Sequence, residues 1–109
     1  MDKIKLVKDD TRPALVCTIT DDTTGAVVSL TDAMVVLQFR AVGSTTLQAT
    51  VPGTVTDGPN GIVVFYPASA PAMLQGAAGD YEGEIQITFS DGQVQTVYDL
   101  LKFKVRADF

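Results

Sequence analysis

The chain predicts an all-β fold, an antiparallel sandwich of seven to nine short strands. Three observations carry this: apolar and polar residues alternate with period two through most of the sequence, turn-forming clusters recur every eight to twelve residues, and helical periodicity is nearly absent. A chain of 109 residues with 46% hydrophobic content suits one compact core, burying roughly 65% of its unfolded surface.

The strands follow in order. "KIKLV" at 3–7 is a short first strand, and residues 1–12 form either an N-terminal arm or an edge strand, with residues 13–109 as the single domain. As a docking arm, residues 2–12 would use their charge and weak sheet character. Pro13 suits the position just before a strand, and "ALVCTITD" at 14–21 sets Leu15, Cys17 and Ile19 on one face. "DDTTG" is a polar turn closing on Gly25, where a positive φ is cheap, and it leads into the short segment "AVVSL". "MVVLQFRA" turns Val35, Leu37 and Phe39 inward.

After the "VGST" turn, "TLQATV" places Leu47, Ala49 and Val51 together, and "TVT" and "GIVVFYP" flank the turn-rich "DGPN". The alternation breaks at "ASAPAMLQGAAG". There Ser69 suits a cap, Pro71 a first helical turn and Gly76 a stop, so one short corner helix is expected, with Met73 and Leu74 plugging the core. "GDYEGEIQITFSDGQVQT" at 79–96 then reads as a half-buried strand, with Tyr81, Gly83, Ile85, Ile87 and Phe89 inward and Glu82, Glu84, Gln86 and Thr88 outward. With Asp91-Gly92 as a two-residue hairpin loop, Val94, Thr96 and Tyr98 fall on the core face. The last strand buries Leu101, Phe103 and Val105, and the change of phase from Tyr98 to Leu101 requires a bulge or bend near Asp99.

Tyr81 sharpens the topology. It follows the corner helix and precedes Gly83 by two positions, as a tyrosine-corner residue precedes the second cysteine of disulfide-bonded immunoglobulin domains. An immunoglobulin-like sandwich is therefore the expected topology. Gly83 would take the place of that cysteine, with Cys17 on the facing strand.

Composition narrows function. Eight Lys and Arg against thirteen Asp and Glu give a net charge of −5, which argues against nucleic acid or an anionic membrane surface as partner. Lys102, Lys104 and Arg106 share one strand face, the pattern of a solvated or protected edge. The chain has no histidine and one cysteine, so it lacks Ser-His and Cys-His nucleophile pairs, an ordinary zinc site and an internal disulfide. Cys17, among apolar neighbours, reads as a small buried hydrophobe. No signal-peptide core or membrane-length apolar run occurs, so a soluble chain folded in a reducing cytoplasm is expected.

The acid pairs Asp9-Asp10, Asp21-Asp22 and Glu82/Glu84 read as solvated acids. "DDTTG" and "DGPNG" are too short for a twelve-residue calcium loop, and "GSTT" and "GAAGD" lack the lysine of a phosphate loop. No catalytic, cofactor-binding or metal-binding residue is assigned, and no cofactor is expected. Sugar sites usually need exposed aromatic rings. The chain has no Trp, and of its eight Phe and Tyr only Phe65, Tyr66 and Phe109 look outward. These facts weigh against a carbohydrate or host-surface binding module, which stands as the alternative of another class.

Taken together, residues 15–22, Gly25, "VSLTDAMV" with Leu30 and Val35, Gly79 with Tyr81, and the 89–92 hairpin resemble the immunoglobulin-like N-terminal domain of tailed-phage upper baseplate proteins. In that family a glycine commonly stands where this chain has Asp32, and members usually continue into a longer C-terminal region. The resemblance implies a non-enzymatic structural protein of a bacteriophage virion, made in the host bacterial cytoplasm. It would be a multi-copy or homo-oligomeric module of the tail or baseplate, docked on neighbouring virion proteins and without membrane insertion. Capsid decoration or a head-tail accessory role is the alternative within that class.

Overall fold

The computed structural model describes residues 4–7, 14–21, 23–97 and 100–107. The fold is all-β. Among the described residues it has eight strands, β1 (Ile4–Val7), β2 (Leu15–Thr18), β3 (Met34–Ala41), β4 (Ala49–Asp57), β5 (Ile62–Phe65), β6 (Gly79–Thr88), β7 (Val94–Thr96) and β8 (Leu101–Arg106). They hydrogen-bond as one curled sheet in the order β1-β8-β6-β3-β4-β5-β2, with β7 also on β6. The sheet is mixed rather than wholly antiparallel, because β1 runs parallel to β8, pairing Ile4 with Phe103 and Leu6 with Val105. Of residues 2–12, Ile4–Val7 is thus an edge strand; the remainder of that segment lies outside the described residues.

The sheet bends through β4. The sequence divides this region into two strands, "TLQATV" and "TVT", whereas the structure joins them into one. Its first half pairs with β3 as far as Val36–Pro52, and from Gly53 it pairs with β5. Proline has no N–H to extend the first ladder, so the change of partner falls where the donor is missing. Gly53 permits the crossing: a Cβ there would lie 2.7 Å from Val63 Cγ2 and 2.9 Å from Phe65 Cε1. Leu47 lies before β4 and is exposed.

The concave side of the curl is the core. Leu15 and Ile19, Val35, Leu37 and Phe39, Val51, Val63 and Phe65, Ile85 and Ile87, and Phe103 and Val105 form one buried cluster. β3, β6 and β8 contribute alternate residues, as period-two patterning requires. Phe65, expected to look outward, is fully buried because it faces Gly53 in β4 and Leu15 in β2. Cys17 is half-buried and unpaired, and burial raises the pKa of its thiol.

Instead of one short helix, two 3₁₀ turns occupy the corner, Pro67–Ser69 and Pro71–Leu74. The prolines account for this. Each lacks an N–H, and Pro71 forces Ala70 out of helical geometry, to φ −141° and ψ 76°. Ser69 belongs to the first turn rather than capping a helix, while Met73 and Leu74 do plug the core. "AVVSL" contributes only an isolated bridge, Thr20 with Val27.

The β6–β7 hairpin is one residue longer than the sequence suggests. Phe89 pairs with Gln93, donating its N–H to the Gln93 carbonyl at 2.8 Å, and Gly92 sits at φ 89°. This is a three-residue loop with its last member left-handed. One residue of slip turns every side chain of the strand over. Val94 and Thr96 therefore face outward beside Thr88 and Gln86. The same correction removes the expected change of phase: β6 passes from β7 to β8 with Gln86–Thr96 giving way to Gly83–Leu101, a two-residue insertion that keeps odd-numbered residues inward. Tyr98 and Asp99 lie outside the described residues.

Candidate functional site

The tyrosine corner forms. The Tyr81 hydroxyl donates a 2.6 Å hydrogen bond to the Ala77 carbonyl, tying the start of β6 to the loop that follows the second 3₁₀ turn. Its ring stacks on Phe39 at 4.8 Å and 8°, and Phe39 meets Phe103 edge-on at 5.1 Å. Gly76 leaves room for the phenol, since a Cβ there would lie 2.7 Å from the hydroxyl. Gly83 does not resemble a vacated cysteine position. A Cβ on it would meet Leu37 Cδ1 at 2.7 Å and Phe103 Cε2 at 2.9 Å, so the space before it is already filled by core side chains.

The convex face of β8, β6, β3 and the first half of β4 is the most differentiated surface. Its rows follow from the register. Arg40 lies opposite Glu82, and Glu82 opposite Lys102. Arg40 Nε–H donates to Glu82 Oε1 at 2.8 Å and Lys102 Nζ donates to Oε2 at 3.4 Å. Glu82 is thereby buried to 8% exposure, not solvated as its alternating position suggests. The Arg40 hydrogen bond is the chief reason its carboxyl pKa lies below the usual value. Two cations share one carboxylate, so the row carries a net positive charge.

A signal for this row was present in the sequence: Arg40 is the only cation between Arg12 and Lys102. Its outward position in β3 suits pairing with an acid on a neighbouring strand. Beside the row, Gln38, Leu47, Gly83, Glu84 and Leu100 join Arg40 and Glu82 in lining a pocket of ≈ 50 Å³.

Away from that row, the same face loses its charge. Met34, Thr88 and Val94 align across three strands, and Pro52, Val36, Gln86 and Thr96 across four. Met34 is 73% exposed and Val94 58%. Nearby turns bring in carboxylates: Asp32 precedes Met34, and Asp91 lies in the β6–β7 loop. Asp32 has φ 59°, the only non-glycine positive φ among the described residues.

Two other acids are occupied locally. Asp21 Oδ1 accepts the Thr23 N–H at 2.8 Å, and Asp57 Oδ2 accepts from Asn60 Nδ2 at 2.8 Å. Asp9, Asp10 and Asp22 lie outside the described residues. Among the described residues, no group of three or more His, Cys, Asp and Glu side chains is placed to hold a metal ion. A wider groove of ≈ 330 Å³ follows the β1–β8 edge, lined by Lys5, Leu6, Val7, Lys104 and Arg106. Lys5 and Lys104 are register partners there. Among the aromatics expected outside, Tyr66 is 41% exposed, and Phe109 lies outside the described residues. No described helix is long and apolar enough to cross a membrane.

No protein-family profile matches the chain, and no curated protein matches it.

Proposed function

We propose that the chain is a non-enzymatic structural module of a tailed-phage virion, an immunoglobulin-like domain present in many copies in the tail or baseplate and docked on neighbouring virion proteins. The observation that carries the reading is the backbone at Asp32. The resembling family commonly has glycine there, and here the residue stands in the left-handed region at φ 59°, a conformation glycine adopts without strain and aspartate tolerates better than most residues. The Tyr81–Ala77 bond and the parallel pairing of β1 with β8 support the immunoglobulin-like part of the reading. Such a module works by rigid display: the core fixes a sheet face and edge strands, which bury surface against repeated neighbours.

Mass spectrometry of purified particles, followed by cryo-microscopy, tests the proposal. Stoichiometric presence with density in the tail or baseplate supports it. Density on the head moves the module to capsid decoration, and absence from particles overturns the virion role.

A further inference from the structure

We infer that the convex face of β8, β6, β3 and the first half of β4 binds a second copy of this chain, with the two sheets packed face to face and their strands antiparallel about a two-fold axis. This gives the multi-copy part of the proposed function a surface, and it rests on that part alone. Three features lead to it.

The first is unpartnered apolar surface on a sheet. Met34 and Val94 stand 73% and 58% exposed on adjoining rows with Val36 and Pro52. Among the described residues, no charged side chain interrupts these rows. A chain in which 19% of residues are charged leaves this sheet region bare of charge.

The second is complementarity between the two ends of one face. One end has Met34 and Val94 flanked by Asp32 and Asp91. The other has the net-positive row Arg40–Glu82–Lys102, with Lys104 opposite Asp80 one row further on, and Leu47 and Leu100 beside it. A two-fold axis across the strands lays each end on its opposite. Met34 and Val94 then cover the partner's apolar rim, and Asp91 approaches the partner's Lys104. Like ends would instead oppose like charges, which selects the antiparallel arrangement.

The third is size. β6 has ten residues, β3 eight and β8 six, and four residues of β4 pair with β3, so the face offers roughly 450 Å² per copy, or roughly 900 Å² in total, the range of weak self-association. Isologous two-fold contacts are the commonest way such a face is closed. Glu84 lies near the middle of β6, one residue from that axis, which brings its carboxylate close to its own copy, with Gln38 alongside as an amide donor.

Sedimentation velocity on the full chain from micromolar to millimolar concentration tests the inference. Wild type should pass from monomer to dimer and stop there, with the dimer weakening as salt rises. Met34→Asp with Val94→Asp should weaken it at least tenfold, with folding checked by circular dichroism. Lys104→Glu should weaken it as well, and adding Asp91→Lys should restore it. Glu84→Gln should tighten it by removing the repulsion at the axis, an effect that loss of a structural residue would not produce. Val16→Asp, on the outer side of β2, should leave it unchanged. A monomer at every concentration in low salt, growth beyond the dimer, or a dimer indifferent to Met34 and Val94 would overturn the inference, while leaving the virion reading to the particle experiment.

Discussion

Replacing Tyr81 by phenylalanine removes a single oxygen and leaves the ring on Phe39. The lost element is the 2.6 Å bond to the Ala77 carbonyl. Ala77 is exposed, so its carbonyl can turn to water and the cost stays near that of an ordinary hydrogen bond, about 1 kcal/mol. For a domain of this size, that corresponds to a fall in Tm of about 4–8 °C. Urea unfolding followed by circular dichroism should show a lower midpoint with an unchanged slope, because the surface exposed on unfolding is unchanged. The geometry adds a coupled test. Gly76→Ala places a methyl 2.7 Å from the hydroxyl and 2.8 Å from Gln48 Nε2. It should destabilise wild type more than it destabilises the phenylalanine variant, in which the first of these collisions has gone. Equal effects in the two backgrounds, or a Tyr81→Phe midpoint identical to wild type, would refute the corner as a fastening.

Other outcomes follow from the core and the charged row. Glu82 has its pKa held down in the folded state, chiefly by the Arg40 hydrogen bond. Its stabilising contribution is complete above the unfolded value of about 4.3 and is lost as pH falls through the lower folded value. Glu82→Gln should flatten that acid limb in a series of urea midpoints against pH. Gly83→Ala should cost about 1–3 kcal/mol, because Leu37 and Phe103 must give way; a denaturation curve matching wild type would return Gly83 to the status of an empty cysteine position. Burial raises the pKa of Cys17, so Ellman's reagent at neutral pH should label it slowly in the native protein and rapidly in urea.

Much of the fold was legible because inward residues repeat with period two. Val35, Leu37 and Phe39, and likewise Ile85 and Ile87, are buried as their spacing demands. Tyr81 was legible from its place beside the corner and Gly83. Features that depend on a single residue of loop length were not. "SDGQ" suits a two-residue turn as well as a three-residue one, and the longer loop moved Val94 from the core to the convex face. Nor could composition reveal that "TLQATV" and "TVT" form one strand, since a central proline normally argues against continuity. Here the proline sits where the strand changes partner. Glu82 was misjudged for a related reason: alternation says which side a residue faces, but its partners depend on strand order, which brings Arg40 and Lys102 to either side of it.

The continuity of β4 also bears on how the molecule behaves at high concentration. Two separate sheets would expose four open edges, each a template for pairing with another chain. A strand shared across the bend at Pro52 and Gly53 cuts that side into two short stretches, one paired only with β3 and the other only with β5. The ends of the hydrogen-bonded order are instead β1, lysine-bearing and bounded by a cationic groove, and β2, four residues long. Both are poor templates for runaway strand addition. A protein arranged in this way can be packed densely through its faces while resisting growth into fibres through its edges.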